Sequence, residues 1–321
     1  RTTEQESGNM ATRISATFNN IHGEYFNVYI DDSAYGGAAL DVDLGPEGFT
    51  LNYSGDAKDV FAPVIGSTAK INVIITPTTE SSMTTFASDL LNSAEGRFTV
   101  KITHDTSAGA GNLHWIGYVL ADLSGFQDLG TVYTFSITAT DGLARLKGID
   151  YADTSGLFDD VPYGLLSMKD HILNCLNQDA LSALYFTGSD IFLRTVINWT
   201  DSTIGAPAAA KCPLAYSRVN GEVFAKRERG TSVSWKFKSC YEVIEAICMH
   251  WCARIYFSHG CYRIEQFNER SDDNFYERRF SRTGTLISSA AAAASDVQID
   301  QNLNGARLEG AEDRLRRYVQ R

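Results

Sequence analysis

Apolar and polar residues alternate in short runs through the first half of the chain, the period expected of strands with one buried face. Phe26, Val28 and Ile30 fall on one face of the first run, and Phe49, Leu51 and Tyr53 on one face of the next, with Thr50 and Asn52 between them. Ile71, Val73 and Ile75 continue the pattern, and Phe98, Val100 and Ile102 alternate with Arg97, Thr99 and Lys101. Trp115 to Leu120, and Tyr133, Phe135, Ile137 and Ala139, add two more strands. Asp31-Asp32-Ser33, Gly45-Pro46 and residues 107–111 supply turn residues between them. With one short helical candidate, Phe86 to Asn92, the spacing predicts a barrel or sandwich that ends near Tyr151.

The period then changes. From Pro162 to Leu176, the residues Leu165, Met168, Ile172, Leu173 and Leu176 lie on one helical face, with Asp159 and Asp160 placed to cap its start. A second unit opens with the strand Val233, Trp235, Phe237 and runs into Ser239-Cys240-Tyr241-Glu242, a capping box that starts a helix with the buried stripe Ile244, Ile247, Cys248 and Trp251. Arg254 to Ser258 and Cys261 to Phe267 follow as two strands joined across His259-Gly260. Beyond Asp272 the chain turns polar, passes through Ala290 to Ala294 and ends in an Arg-rich segment read as an arm. The expected organisation is an extension (1–19), a first β domain (20–151), a helical linker or insertion (152–210), a second β-rich domain (211–285) and a C-terminal arm (286–321). The fold class is mainly β with α insertions (α+β).

Composition supports this reading and removes some functions. The 15 Tyr and 17 Phe against 6 Pro favour pleated, half-buried surfaces. A net charge of −11 offers no cationic field to a phosphate backbone, so sequence-specific nucleic acid is not an expected partner. The longest basic cluster, Lys226, Arg227 and Arg229, is split by Glu228 and reads as a solvated loop. No apolar run approaches the ~18 residues of a transmembrane helix. The sequence begins at Arg1 rather than Met and stops in a charged stretch, which reads as a piece of a longer protein.

Candidate chemistry is sparse. Five of the six Cys fall after position 200, and Cys248, Cys252, His259 and Cys261 form the candidate zinc set, with Cys240 and His250 nearby. Packed core thiols are the preferred reading, because no close Cys-x-x-Cys knuckle occurs and Cys248 lies on the apolar helix stripe. No Gly-x-Ser-x-Gly turn, dinucleotide fingerprint or Walker loop is present, and the glycines at 109 and 111 sit between strands. His104 and His114 read as strand-end residues. The adjacent pairs Asp31-Asp32, Asp159-Asp160 and Asp272-Asp273 point to opposite faces of an extended chain and suit turns and caps better than acid/base couples. The residues therefore assign no catalytic group and no cofactor.

Four stretches carry a resemblance: GFTLNYSGD (Gly48 to Asp56), WIGYVLADL (Trp115 to Leu123), FSITATDGLARLKGIDY (Phe135 to Tyr151) and SCYEVIEAICMHWCARIYFSHGCYRIEQFN (Ser239 to Asn268). They resemble tail proteins of bacteriophages and prophages, above all the hub that closes the tail tube. The resemblance implies two related β-barrel domains with helical insertions, assembly of three copies into a ring, and tube, distal tail, spike or fibre proteins as partners. It also implies a non-enzymatic structural role in the virion tail after synthesis in the bacterial cytoplasm. A distal tail or baseplate adaptor ring is the alternative within that class. A glycan-binding or cell-wall-hydrolysing tail module, using aromatics such as Tyr25, Tyr29 and Trp199, is the alternative outside it.

Overall fold

The computed structural model of the chain describes residues 11–19, 24–54, 61–105, 112–128, 133–153, 161–178, 191–197, 212–229, 233–267 and 274–293. The strands are β1 (Ala11–Asn19), β2 (Tyr25–Asp32), β3 (Leu40–Asp41), β4 (Leu44–Ser54), β5 (Val64–Ile74), β6 (Phe98–Asp105), β7 (Asn112–Val119), β8 (Gly125–Asp128), β9 (Tyr133–Thr140), β10 (Leu165–Ser167), β11 (Leu193–Val196), β12 (Arg218–Asn220), β13 (Ala225–Arg229), β14 (Val233–Phe237), β15 (Ala253–Ser258), β16 (Cys261–Gln266), β17 (Asn274–Phe280) and β18 (Leu286–Ala293). The protein is mainly β with helical insertions.

Fourteen strands share one sheet in the order β18-β17-β11-β16-β15-β5-β9-β7-β6-β2-β1-β3, with β4 on β5 and β8 on β9. Its two halves meet where β15 runs parallel to the start of β5, Ile255 opposite Val64 and Tyr256 opposite Ile65. Buried residues from both halves, Ile14 and Val100 as much as Ile264 and Phe280, belong to one hydrophobic cluster. The alternation read from sequence is the cause: Val28 and Ile30, Ile71 and Val73, and Phe98, Val100 and Ile102 are all buried.

Local signals set the helix starts. Ser239 accepts from the Glu242 amide at 3.3 Å while the Glu242 carboxylate accepts from the Ser239 amide at 2.7 Å, so the capping box closes on the helix Cys240–His250. The helix expected from Pro162 begins instead at Met168, because Leu165 pairs in β10 with Asn220 of β12. Ser167 caps it by accepting from the Asp170 amide; Asp159 and Asp160 lie outside the described residues. The helix expected at Phe86 to Asn92 spans Glu80–Leu91, its polar first turn having hidden its beginning.

Three segments read as extension, insertion or arm contain sheet strands. Ala11–Asn19 pairs antiparallel with β2, burying Ile14 and Ala16. Leu193–Val196 sits between β16 and β17. Leu286–Ala293 pairs with β17 from Leu286 to Ala293, with an irregularity beside Arg279 and Phe280. The turn glycines at 109 and 111 fall outside the described residues, as does Trp199.

Candidate functional site

The zinc candidates are not brought together. Cys248 is buried on the inward stripe of its helix, where desolvation pushes its thiol up to about 12. Cys252 is exposed just past the helix end with φ of 47°, and Cys261 is buried at the start of β16, its Sγ donating to the Ser258 carbonyl at 3.6 Å. All six cysteines are free thiols. Among the described residues, no group of three or more His, Cys, Asp or Glu is arranged to hold a metal ion.

His259 packs against His114, which in turn meets His104. His259 occupies the β15–β16 turn at φ 50°, followed by Gly260 at φ 74°, a pair of left-handed residues that tightens the hairpin. Its ring packs edge-on against that of His114 with centroids 5.3 Å apart, and His114 lies 6.2 Å from His104. Phe26 stands under both of these, 4.8 Å from His104 and 5.7 Å from His114, and Phe49 is 6.3 Å from His114.

A β-bulge creates the arrangement. Across β6 and β7, Ile102 faces Trp115 but Thr103 faces Leu113, which leaves His114 as the extra residue. Freed from the ladder, its carbonyl accepts from the Gly260 amide at 3.1 Å. The turn is pressed close: a Cβ at Gly260 would stand 2.5 Å from the Leu113 carbonyl oxygen.

Electrostatics favour the neutral form of His114 and His259. Burial pushes His114 down to about 4, helped by the charges that His259 and His104 would carry and opposed by Glu24. His259 is also lowered, by burial and then by Arg263, Arg194 and His104. Glu24 approaches His104 Nε2 at 3.5 Å. Ser258 Oγ lies 2.7 Å from His259 Nδ1, and among the described residues the group packed against the imidazole is the His114 ring rather than an orienting carboxylate.

Sequence reasoning placed His104 and His114 at strand ends and did not join them to His259. The available signal was local: His104 and His114 flank a predicted hairpin and His259 precedes a glycine in another. Their meeting depends on the bulge and on β15 docking beside β5. Of the aromatics considered for glycans, Tyr25 and Tyr29 are half-buried members of β2.

No protein-family model matches the chain, and no curated protein does. Among solved structures it is similar to the 43 kDa tail protein of prophage MuSo2 from Shewanella oneidensis, at 11% identity and a TM-score of 0.31, over 68% of this chain and 55% of that one. The chain thus spans about half the length of that protein. No helix among the described residues is long and apolar enough to cross a membrane.

Proposed function

We propose that this chain is a structural component of a bacteriophage or prophage tail, a hub or baseplate protein that closes into a ring at the end of the tail tube and joins it to the tip or spike. The observation that carries the reading is the set of four stretches between Gly48 and Asn268 that resemble tail hub proteins. A long sheet suits such a role. Among the described residues its end strands, β18 and β3, each pair with one neighbour, and strand edges of this kind are natural places for subunits to join. The reading divides the chain into two barrel-like units, 20–151 and 211–285, around the 152–210 insertion. It places three copies in the ring, with tube, distal tail and spike or fibre proteins as neighbours, in the virion. An acidic lining, drawn from the net charge of −11, would let DNA pass without adhering.

Electron microscopy of the purified chain, with its mass in solution, tests this directly. Three-fold rings support a hub, whereas six-fold rings would move it to the distal adaptor class. A monomer at every concentration, or cleavage of bacterial cell-wall polysaccharide by the isolated chain, would overturn the assignment.

A further inference from the structure

We infer that His104, His114 and His259 form an acid-released latch that holds the tip of the β15–β16 hairpin against β7. The proposal is independent of the tail assignment, since every group involved belongs to one chain. Three features carry it: the rings meet at 5.3 and 6.2 Å, His114 is a bulge residue, and its carbonyl makes the Gly260 bond that fastens the tip. The root of the hairpin is held separately, by the Ile255 amide on the Pro63 carbonyl at 2.8 Å and by the short parallel pairing with β5. The tip can therefore part from β7 while β15 stays attached.

The charged and titratable groups around the latch set its direction. Glu24 before β2 faces His104 Nε2 at 3.5 Å. Arg263 on β16 and Arg194 on β11 face His259 and oppose a charge there. Phe26 on β2 and Phe49 on β4 wall the His114 ring and offer it no counter-charge. A proton on His114 thus enters an apolar enclosure between two other imidazoles, and separation of the tip returns the ring to water.

His114 is lowered from 6.5 to about 4 by burial and its neighbours, so docking is fully favoured above pH 6.5 and weakens as pH falls towards 4. Between pH 7 and 4.5 this one group reduces the docked-to-open ratio about 50-fold.

Hydrogen exchange of the Gly260 amide, corrected for the intrinsic pH dependence of exchange, reads the latch in the intact chain. The Ile71 amide in the middle of β5 serves as reference. The expected result is a loss of Gly260 protection of more than tenfold from pH 7 to 4.5 while Ile71 is unchanged. In His114→Phe the loss should disappear. Where that variant does not fold, His259→Asn, which tolerates the left-handed turn, should show a smaller loss. Equal protection at both pH values, an equal fall at Ile71, or an unaltered fall in the folded variants would overturn the latch.

Discussion

Replacement of Asp32 by alanine should be among the most damaging single changes in the first half of the protein. Its carboxylate is fully buried and accepts from Arg97 Nε at 2.7 Å and Nη2 at 2.8 Å, from Arg13 Nη1 at 2.9 Å and from the Ala34 amide at 2.9 Å. Arg13 also reaches Asp89 in the helix Glu80–Leu91, so one residue ties β1, β2, the start of β6 and the helix together. Arg97 is 27% exposed and can turn to water, but Arg13 is only 8% exposed and would keep a single carboxylate partner. Breaking a buried pair from one side costs about 3–5 kcal/mol, and the partial escape of Arg97 places Asp32→Ala near ~3 kcal/mol. Asp32→Asn, which keeps the shape and loses the charge, should cost about 2 kcal/mol. Urea unfolding followed by tryptophan fluorescence measures both, with the double variant Asp32→Ala/Arg97→Ala closing the cycle. Burial alone would raise the Asp32 carboxyl, but the donors on Arg97, Ala34 and Arg13 together hold it below its ordinary 3.8. Its contribution is therefore present above pH 3.8 and lost as pH falls further, so wild type and variant should converge in acid. A cost below 1 kcal/mol at pH 7, or a gap that widens on acidification, would refute the reasoning.

Asp141 should behave in the opposite sense. It is buried and raised to about 6 by desolvation despite donors from Ser67 and Leu143, so its contribution is greatest in acid and is lost as pH rises through 6. Asp141→Asn should thus gain about 1.4 kcal/mol on wild type between pH 5 and pH 8 in parallel urea titrations. Gly117→Ala would set a methyl 2.3 Å from the Thr140 carbonyl oxygen and 2.3 Å from the Trp115 ring, and should lower stability by about 3 kcal/mol by thermal or urea unfolding. Ser239→Ala removes the cap of the helix Cys240–His250 and should cost about 1 kcal/mol. With a thiol reagent such as DTNB, the exposed Cys252 should react promptly and the five buried cysteines only after unfolding; prompt reaction of two or more would contradict the burial.

Elements whose cause is local were legible in the sequence. The alternating strands β2, β4, β5, β6, β7 and β9 and the Ser239–Glu242 box need only neighbours a few residues away. Strand β17 was hidden because its charged residues are buried, Glu277 by pairing with arginines. Asn274–Phe280 contains Glu277, Arg278 and Arg279 in succession and looks like surface, yet Glu277 is 3% exposed, held by Arg194 and Arg279, and Arg278 is fully buried. Its partner β18 carries serine and alanine with little alternation to betray it. Asp32 shows the same limit from the other side. The reading that Asp31 and Asp32 face opposite ways holds, with Thr12 donating to Asp31 and the two arginines to Asp32, but a buried ionic centre cannot be told from a turn until Arg13 and Arg97 are placed.

Residue type and spacing offered His259 to the cysteines, because both sit in one short stretch and both suit zinc. Backbone geometry decided otherwise. Cys248 was committed to the core by the helix stripe, and the left-handed turn at His259 and Gly260 aimed the imidazole at β7. There a single extra residue in the ladder freed the His114 carbonyl to accept from the Gly260 amide, beside the packed rings. Deletion of His114, the extra residue itself, would restore the β6–β7 ladder and remove both the carbonyl and the ring that meet the β15–β16 turn. The proximity of the two rings is thus a property of register, which is why a list of metal-ligating residues could not reveal it.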